Sequence, residues 1–410
     1  MDGNDRRIAA FTSLGHATFH TYELSIPVFV AIWLGAFDVS PALLGTVVAV
    51  GYGLVGVGAP VSGVLADAFG SKRLVLVSLG GMGAGFLALA VAPSVPAIGL
   101  ALVVWGVAAS LYHPAGLSLI SRGARRRGPT LAYHGAAGNV GTALGPLAVV
   151  VLLSFLDWRL VAATLVIPAA AAVVSGVGLD FEEHAATADG GDPEAGDAGG
   201  RGAAALDPGT LLRDTRAMLT GGFLVVFAVY VLYGVYYRGV FTFLPDVLSG
   251  LPLFPETTLF GRPVQPGQYV YSGLLMVGAV GQYAGGRLSE RLPLERALVV
   301  VFLAVGAASL AFVPAAAAGV GPLLAVCAVI GFAVYVFVPL GQALIAEHAP
   351  ADVHGLTYGY TYLGFFGVGA LGASLAGLVL AYGSTATLFV ALAGLAGVCA
   401  LLSAWLVVRE

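Results

Sequence analysis

GVLADAFGSKR, at residues 63–73, is a short polar stretch between two long apolar ones, and it recurs in degraded form as GRLSERLPLER at residues 286–296. A second pair, GVAASLYHPAGLSLI at residues 106–120 and GFAVYVFVPLGQALI at residues 331–345, lies at nearly the same separation along the chain. Internal similarity at a fixed spacing indicates a duplicated structural unit. The sequence therefore predicts two related halves.

The chain is predominantly apolar. It is 59% hydrophobic and only 10% charged, with a mean hydropathy of +0.94, whereas soluble domains are about 25% charged. Apolar stretches of about 20 residues have the length that crosses a bilayer. The sequence predicts an all-α membrane protein with twelve transmembrane helices, called spans 1 to 12, at residues 8–35, 41–65, 73–92, 95–120, 130–155, 159–179, 218–244, 267–288, 297–314, 319–345, 355–381 and 385–408.

A polar, acidic and glycine-rich segment at residues 180–217 separates the first six spans from the last six. This composition is typical of a flexible linker. The predicted organisation is an N-terminal six-helix bundle at residues 1–179, a flexible cytoplasmic linker at 180–217 and a C-terminal six-helix bundle at 218–410.

The basic residues predict the orientation. With the N-terminus inside, 15 of the 18 Lys and Arg residues fall in cytoplasmic segments, Arg159 and Arg262 fall outside, and Arg238 falls within a span. Loops rich in Lys and Arg stay on the cytoplasmic side of a membrane. Both termini are therefore predicted to be cytoplasmic, in a multi-pass protein of the cell membrane. The preference for Arg over Lys, with abundant Ala and Gly, favours a prokaryotic source.

The loop between spans 2 and 3 contains residues 63–73. We expect Gly63 to permit close helix approach and Gly70 to permit a tight reversal. Asp67 can accept hydrogen bonds from helix N-terminal N–H groups or from neighbouring cations. Because such a contact can form in one conformation and break in another, we interpret the loop as a conformational latch, with a simple loop staple as the alternative. The latch candidates are Gly63, Asp67, Gly70, Lys72 and Arg73, with Glu290 in the second copy.

This loop resembles the signature G-x-L-a-D-r-x-G-r-[KR]-[KR] of the major facilitator superfamily, which it matches at Gly63, Leu65, Ala66, Asp67, Gly70, Lys72 and Arg73. GNVGTALGP, at residues 138–146 in span 5, resembles the antiporter motif of that superfamily through Gly141, Gly145 and Pro146. Together with LYHPAG at residues 111–116 and with His16, it is similar to the fosmidomycin-resistance-like efflux branch. The resemblance implies a secondary transporter that works by alternating access and exchanges a drug for protons.

Span 1 carries three ionisable residues on one helical face, because His16, His20 and Glu23 stand at i, i+4 and i+7. His113 in span 4 and His134 in span 5 also lie within the predicted membrane. A charged side chain at that depth costs about 2.5–3.5 kcal/mol on insertion scales. Histidine titrates near neutral pH, so the sequence predicts a proton relay; simple interhelical hydrogen bonds are the alternative.

The resemblance to the efflux branch departs from the branch pattern at one position of this face. An acidic residue is expected four places after His16, and this chain has His20 there. We expect Glu23 to take the acidic role.

Arg238 is a permanent cation within span 7. It either extends toward the outer interface or faces a central cavity, where it meets an anionic substrate or Glu23. Aromatic residues beside it are candidates for a cavity wall, although aromatic stripes more often form packed cores. The substrate-cavity candidates are Arg238, Asn139, Tyr233, Tyr237 and Tyr335.

The leading hypothesis is a secondary active transporter for proton-coupled efflux of a small organic compound or drug. The alternatives are proton-coupled uptake of a small organic anion and, more remotely, a membrane-embedded metal-dependent enzyme. His16, His20 and Glu23 have a spacing that can bind zinc, but the sequence contains no HExxH motif and no Cys/His cluster. We therefore predict no enzyme activity, no metal and no cofactor.

The predicted partners are a small-molecule substrate, protons and the lipid bilayer. The net charge of −4 does not favour a nucleic-acid partner. We expect the protein to function as a monomer.

Overall fold

The computed structural model describes residues 1–188, 215–216, 221–259, 261–348 and 354–409. Within the first 188 residues the helices are Gly3–Ala36, Pro41–Phe69, Ser71–Ala90, Val95–Ser110, Tyr112–Gly123, Arg127–Leu153, Trp158–Thr164, Val166–Gly178 and Ala185–Ala188. From residue 221 onward the α-helices are Gly221–Ser249, Pro266–Ser289, Leu294–Ala318, Val320–His348, His354–Tyr362, Leu371–Tyr382 and Thr385–Arg409. A small antiparallel hairpin, Thr257–Leu259 with Arg262–Val264, connects spans 7 and 8.

All twelve predicted spans are helical, and their ends differ from the prediction by no more than five residues. Span 4 is interrupted at Leu111 and span 6 at Leu165, while span 11 contains a π-helical turn at Leu363–Gly367 and a 3₁₀ turn at Val368–Ala370. Within the described residues, eleven of the helical segments are long and apolar enough to cross a membrane. The twelfth, Pro266–Ser289, is 24 residues long but more polar. The all-α architecture of twelve helices in two six-helix bundles is confirmed.

Glycines allow the two bundles to touch where span 2 meets span 11. A Cβ added to Gly45 would lie 2.5 Å from the carbonyl oxygen of Ala373, and one added to Gly56 would overlap the backbone of Gly367. In a bilayer, helix association depends on such close packing, because lipid is as apolar as the side chains. A side chain at either glycine would therefore separate the bundles.

The two bundles are closed together at one end of the molecule. Twelve antiparallel spans bring both termini to the same end, which we call the terminus end; the opposite end is the far end. Every residue of Tyr22–Val30 in span 1 and of Tyr233–Pro245 in span 7 is buried. A helix face covers only about a third of the residues, so these far halves are enclosed on all sides. The terminus halves of both spans retain exposed residues.

The first residues of the predicted flexible linker are docked against the N-terminal bundle. The Glu183 carboxylate accepts hydrogen bonds from the backbone N–H groups of Ser71, at 2.8 Å, and Lys72, at 3.3 Å. The Asn4 side chain donates to the carbonyl of Glu182 at 3.1 Å. The prediction of flexibility was wrong for residues 180–188, because Glu183 satisfies the free N–H groups at the start of span 3. Most of the remaining linker, residues 189–214 and 217, lies outside the described residues.

Replacing Gly45 by Leu should open the far end. The reporter is a cysteine that replaces Ala370 of span 11. Ala370 is 2% exposed, and its Cβ lies 3.7 Å from the position that a Cβ on Gly53 of span 2 would take. In a background without Cys327 and Cys399, this cysteine should react several-fold faster with a maleimide when Gly45→Leu is present. The measurement is the labelling rate of protein in lipid nanodiscs.

Gly63→Leu is the matched control for this substitution. Gly63 lies on the same helix, and a Cβ there would meet nothing within 4 Å, so the labelling rate should not change. Equal rates for both variants would show that the Gly45 contact does not hold the bundles together.

Candidate functional site

A buried ion pair joins the two bundles near the middle of the molecule. Arg238 donates from Nη2 to Oε1 of Glu23, and the two side chains are 3% and 2% exposed. A buried charge is strongly destabilising when its partner is missing, so span 7 and span 1 are tied together by this contact. The predicted contact between Arg238 and Glu23 is confirmed. The alternative, in which Arg238 extends toward the outer interface, is wrong because its guanidinium is buried against Glu23.

Aromatic rings surround the guanidinium of Arg238. Its central carbon lies 3.8 Å from the ring centroid of Tyr52, 5.3 Å from that of Tyr237 and 5.7 Å from that of Phe366. Tyr52 also donates its hydroxyl to the backbone carbonyl of Glu23 at 2.9 Å. Ring faces attract a cation, so the aromatic frame stabilises the charge of Arg238 where water is excluded.

Glu23 is also the start of a hydrogen-bond chain through two histidines. Its second carboxylate oxygen, Oε2, lies 2.7 Å from Nδ1 of His20. The other ring nitrogen of His20 lies 3.1 Å from Nε2 of His16. His16 donates from Nδ1 to the backbone carbonyl of His134 at 2.8 Å. The chain therefore runs from the interbundle ion pair along span 1 to span 5.

The two remaining histidines of the predicted relay flank this chain. The ring of His134 stacks on that of His16 with centroids 3.9 Å apart, and His113 meets His16 edge-on at 5.2 Å. The His20 side chain is 21% exposed, whereas Glu23 is 2% exposed. The structure thus brings all five proton-coupling candidates together, although their role in coupling stays a prediction.

The alternative metal set of His16, His20 and Glu23 is not assembled as the spacing suggested. Glu23 directs its oxygens to Arg238 and His20. His113 takes its place, and one ring nitrogen each of His16, His20 and His113 lie within 4.8 Å of one another. Three imidazoles at this spacing form an electron-rich cluster that attracts a proton or another small cation.

The span-5 glycines explain how the histidine chain is positioned. A Cβ on Gly138 would lie 2.5 Å from the His16 ring, and one on Gly141 would overlap the backbone of Ala17. A Cβ on Gly145 would lie 2.6 Å from Cα of Thr21. These three glycines let span 5 lie directly on span 1, which brings the His134 carbonyl within reach of His16. Pro146, the last member of the predicted antiporter motif, is buried within the same helix.

The predicted aromatic wall lies inside the C-terminal bundle. Tyr233 donates to the carbonyl of Val334 at 2.9 Å, and the hydroxyls of Tyr237 and Tyr335 lie 3.0 Å apart. All three tyrosines are at most 5% exposed. Asn139 is half-buried on span 5, next to Gly138. A role for these residues in substrate contact stays a prediction.

The loop between spans 2 and 3 is fastened within the N-terminal bundle. Arg122 donates to Asp67 from Nη1 at 2.6 Å and to the hydroxyl of Ser71 from Nη2 at 3.0 Å. Lys72 donates to the carbonyl of Leu179 at 2.5 Å. The sequence predicted that a neighbouring cation contacts Asp67. It did not indicate that this cation is Arg122, the first basic residue of the cluster at 122–127.

Two expectations for the latch residues have different outcomes. Gly70 has φ +87°, a backbone conformation that favours glycine, so the predicted tight reversal is confirmed. The close helix approach predicted at Gly63 was wrong in this arrangement, because a Cβ there would meet open space. Arg73 is exposed beside the loop, and Glu290 is exposed at the end of span 8.

The twelve-helix fold, with a buried ion pair between its halves, is that of a polytopic membrane protein. A sequence profile of the Major Facilitator Superfamily matches residues 12–373, so the chain belongs to that superfamily. The prediction of a superfamily transporter, in place of an enzyme, is confirmed at this level.

Two curated relatives match over a short region. The puromycin resistance protein pur8 of Streptomyces alboniger is 37% identical over 100 residues, which are 24% of this chain and 20% of that protein. The uncharacterized MFS-type transporter Rv1250 of Mycobacterium tuberculosis is 37% identical over 101 residues, 24% of this chain and 17% of that protein. The chain thus spans a fifth or less of the length of these relatives.

Solved structures share the fold over almost the whole chain. An inward open structure of the xylose transporter XylE from E. coli has a TM-score of 0.76 at 14% identity, covering 97% of this chain and 95% of that one. A bacterial homologue of the human lysosomal transporter Spinster, in an inward-facing and occupied conformation, has a TM-score of 0.74 at 14% identity, covering 100% and 98%. At these identities the likeness shows the fold alone.

Replacing Gly141 by Val should destabilise the N-terminal bundle, because the new side chain would overlap the backbone of Ala17. Overpacking of this kind costs about 1–3 kcal/mol, so the melting temperature in detergent should fall by several degrees. Gly135→Val is the control, since a Cβ at Gly135 on the same helix meets nothing within 4 Å. Equal melting temperatures would contradict the close packing of spans 1 and 5.

Replacing Asp67 by Asn should reduce transport more than expression. The substitution keeps the shape of the side chain but removes the charge-assisted contact with Arg122. Such a contact contributes about 1.5–3 kcal/mol, which shifts a two-state equilibrium about ten- to hundredfold. Transport of a labelled compound to which the protein confers resistance, into inverted vesicles and normalised to protein content, gives the readout. Asp180→Asn, an exposed carboxylate at the same end, is the control, and wild-type transport by Asp67→Asn would leave only the staple interpretation.

Proposed function

We propose that the protein is a secondary active transporter that works by alternating access and exports a small organic compound in exchange for protons. The observation that carries this proposal is the double use of Glu23. One carboxylate oxygen binds Arg238 of the other bundle, and the second binds His20 of the histidine chain. A single side chain therefore connects proton occupancy to the contact between the bundles.

The environment of Glu23 makes this connection strong. Both members of the ion pair are almost fully buried, and electrostatic interactions are much stronger there than in water. Any change in the charge or hydrogen bonding of Glu23 alters the contact that closes the far end. A carrier can use such a change to move between its two arrangements.

An open pocket lies at the terminus end between spans 1 and 5. An open cavity of about 640 Å³ is lined by Arg6 and Ser13 of span 1 and by Pro129 and Tyr133 of span 5. Residues 6, 13, 16 and 20 lie close to one face of span 1, so the cavity lies in line with His16 and His20. Under the proposal, water and substrate enter from this end while the far end is closed.

Export of a drug is supported by the local similarity to a puromycin resistance protein and by the span-5 glycines that resemble the antiporter motif. Placement in the cell membrane of a prokaryote, with both termini in the cytoplasm, rests on the distribution of basic residues. In that orientation the terminus end opens to the cytoplasm, where an exported compound is collected.

Uptake of a small organic anion with protons is the second candidate. Nε of Arg238 is buried and has no hydrogen-bond partner in the described part of the chain. A guanidinium N–H without a partner is available to an anionic ligand once the bundles move apart.

Replacing Glu23 by Gln should abolish transport driven by a pH gradient and preserve exchange. Gln keeps the size and hydrogen-bonding capacity of Glu but can neither pair with Arg238 as an anion nor release a proton. Proteoliposomes loaded with labelled puromycin as the first probe would be assayed under an imposed pH gradient and, separately, for counterflow. If puromycin is not transported by the wild-type protein, the probe is a compound to which the protein confers resistance in an efflux-deficient host.

The control is Glu182→Gln, which changes an exposed carboxylate and should behave as wild type. Concentrative transport by Glu23→Gln at the wild-type rate would contradict the coupling role of Glu23.

A further inference from the structure

The hydrogen-bond chain from Glu23 to His134 contains three contacts between N or O atoms. They are Glu23 Oε2 to His20 Nδ1 at 2.7 Å, His20 Nε2 to His16 Nε2 at 3.1 Å, and His16 Nδ1 to the His134 carbonyl at 2.8 Å. At hydrogen-bond distance one atom of each contact must carry a proton, because two lone pairs facing each other repel. The chain therefore needs three protons.

Neutral side chains supply only two of these protons. Each neutral imidazole carries one N–H, and an ionised carboxylate carries none. The His134 carbonyl can only accept, so the N–H of a neutral His16 lies on Nδ1 and its Nε2 presents a lone pair. His20 must then donate from Nε2, and the contact between His20 and Glu23 needs a further proton.

The position of the third proton does not change the count. Either His20 is an imidazolium that donates to an ionised Glu23, or a protonated Glu23 donates to a neutral His20. In both cases the chain holds one proton more than two neutral imidazoles and a carboxylate.

We infer that this arrangement, closed at the far end, is the proton-loaded form of the transporter, and that the coupling proton is held within the Glu23–His20–His16 chain. The link to transport rests on the proposed function, whereas the proton count rests on the hydrogen bonds alone. When the proton leaves to water, the Nε2 lone pairs of His16 and His20 face each other. The two rings must then separate, which disturbs the Glu23 contact and favours the opposite arrangement.

The surroundings of the chain are compatible with one additional positive charge. Glu23 offsets it, His16 and His20 are partly exposed, and Arg238 is held by Glu23. Release of the proton at the end where substrate enters is the order that antiport requires. The titratable and charged groups that face the chain or its immediate neighbours are Tyr52 on span 2, Tyr112 and His113 on span 4, His134 on span 5, Arg238 and Tyr237 on span 7, Tyr271 on span 8, Tyr335 on span 10 and Tyr362 on span 11.

The test measures the arrangement of the bundles as a function of pH. The reporter is the cysteine at Ala370, in protein without Cys327 and Cys399, held in lipid nanodiscs without substrate. As pH rises, the ratio of far-end-open to far-end-closed protein should increase by about tenfold per pH unit, as for a one-proton equilibrium. Maleimide reactivity, corrected for the intrinsic pH dependence with a cysteine at exposed Ala136, gives this ratio.

His16→Gln should remove this pH dependence. Its amide carries two N–H groups, one for the His134 carbonyl and one to donate to Nε2 of His20. A neutral His20 can then donate from Nδ1 to Glu23, so the chain no longer needs the third proton. His348→Gln is the control: the His348 ring bonds to the Leu344 carbonyl of its own helix at 3.1 Å, and His348 belongs neither to the chain nor to the set of proton-coupling candidates. It should retain the tenfold dependence.

A second measurement on the wild-type protein is independent of any variant. With ¹⁵N-labelled histidine, NMR at the acidic end of the transition should show scalar coupling between the two Nε2 atoms across an N–H···N hydrogen bond. The coupling should disappear as the far end opens.

Flat accessibility and no Nε2–Nε2 coupling in the wild type would overturn the inference, as would one tightly bound metal ion per purified protein by elemental analysis. Either result is compatible with pH-driven transport by the wild-type protein in the proteoliposome assay, so the proposed function could still hold. Conversely, a wild-type protein without coupled transport but with the pH-dependent accessibility would contradict the proposed function and leave the proton count intact.

Discussion

The structure depends on one electrostatic constraint, the burial of Glu23 and Arg238 against each other across the two bundles. Each group would be strongly destabilising alone in a medium without water. Paired, they require spans 1 and 7 to be in contact, and in this structure the contact accompanies a closed far end. The enclosure of Tyr22–Val30 and Tyr233–Pro245 is the packing that accompanies the pair.

The histidine chain depends in turn on the contact between spans 1 and 5. Gly138, Gly141 and Gly145 remove the side chains that would hold these helices apart. The carbonyl of His134 can then fix the tautomer of His16, because a carbonyl only accepts. Small residues therefore determine a protonation pattern several ångströms away. The charged loop after span 2 has a different role, since Arg122 and Glu183 fasten it within one bundle.

Much of the architecture could be predicted because it depends on local properties of the sequence. Span positions follow from hydrophobic length, and the reversal at Gly70 follows from a residue that tolerates positive φ. The failures have a common cause. Residues 180–188 were predicted to be flexible from composition, yet Glu183 caps the start of span 3. Gly63 was predicted to permit close helix approach, yet in this arrangement a Cβ there would meet open space. Composition and motif positions do not indicate which surface a residue meets.

For the candidate site, the sequence by itself determined that His16, His20 and Glu23 share a face, because helical periodicity allows no other result. It also determined that this face is costly in a membrane and needs partners. The partners were decided only by the tertiary structure. Arg238 lies 215 residues from Glu23, and His134 and His113 come from two other spans. Hydrogen bonds across helices depend on how close the backbones approach and how the bundles close, and neither is encoded in the periodicity of any single span.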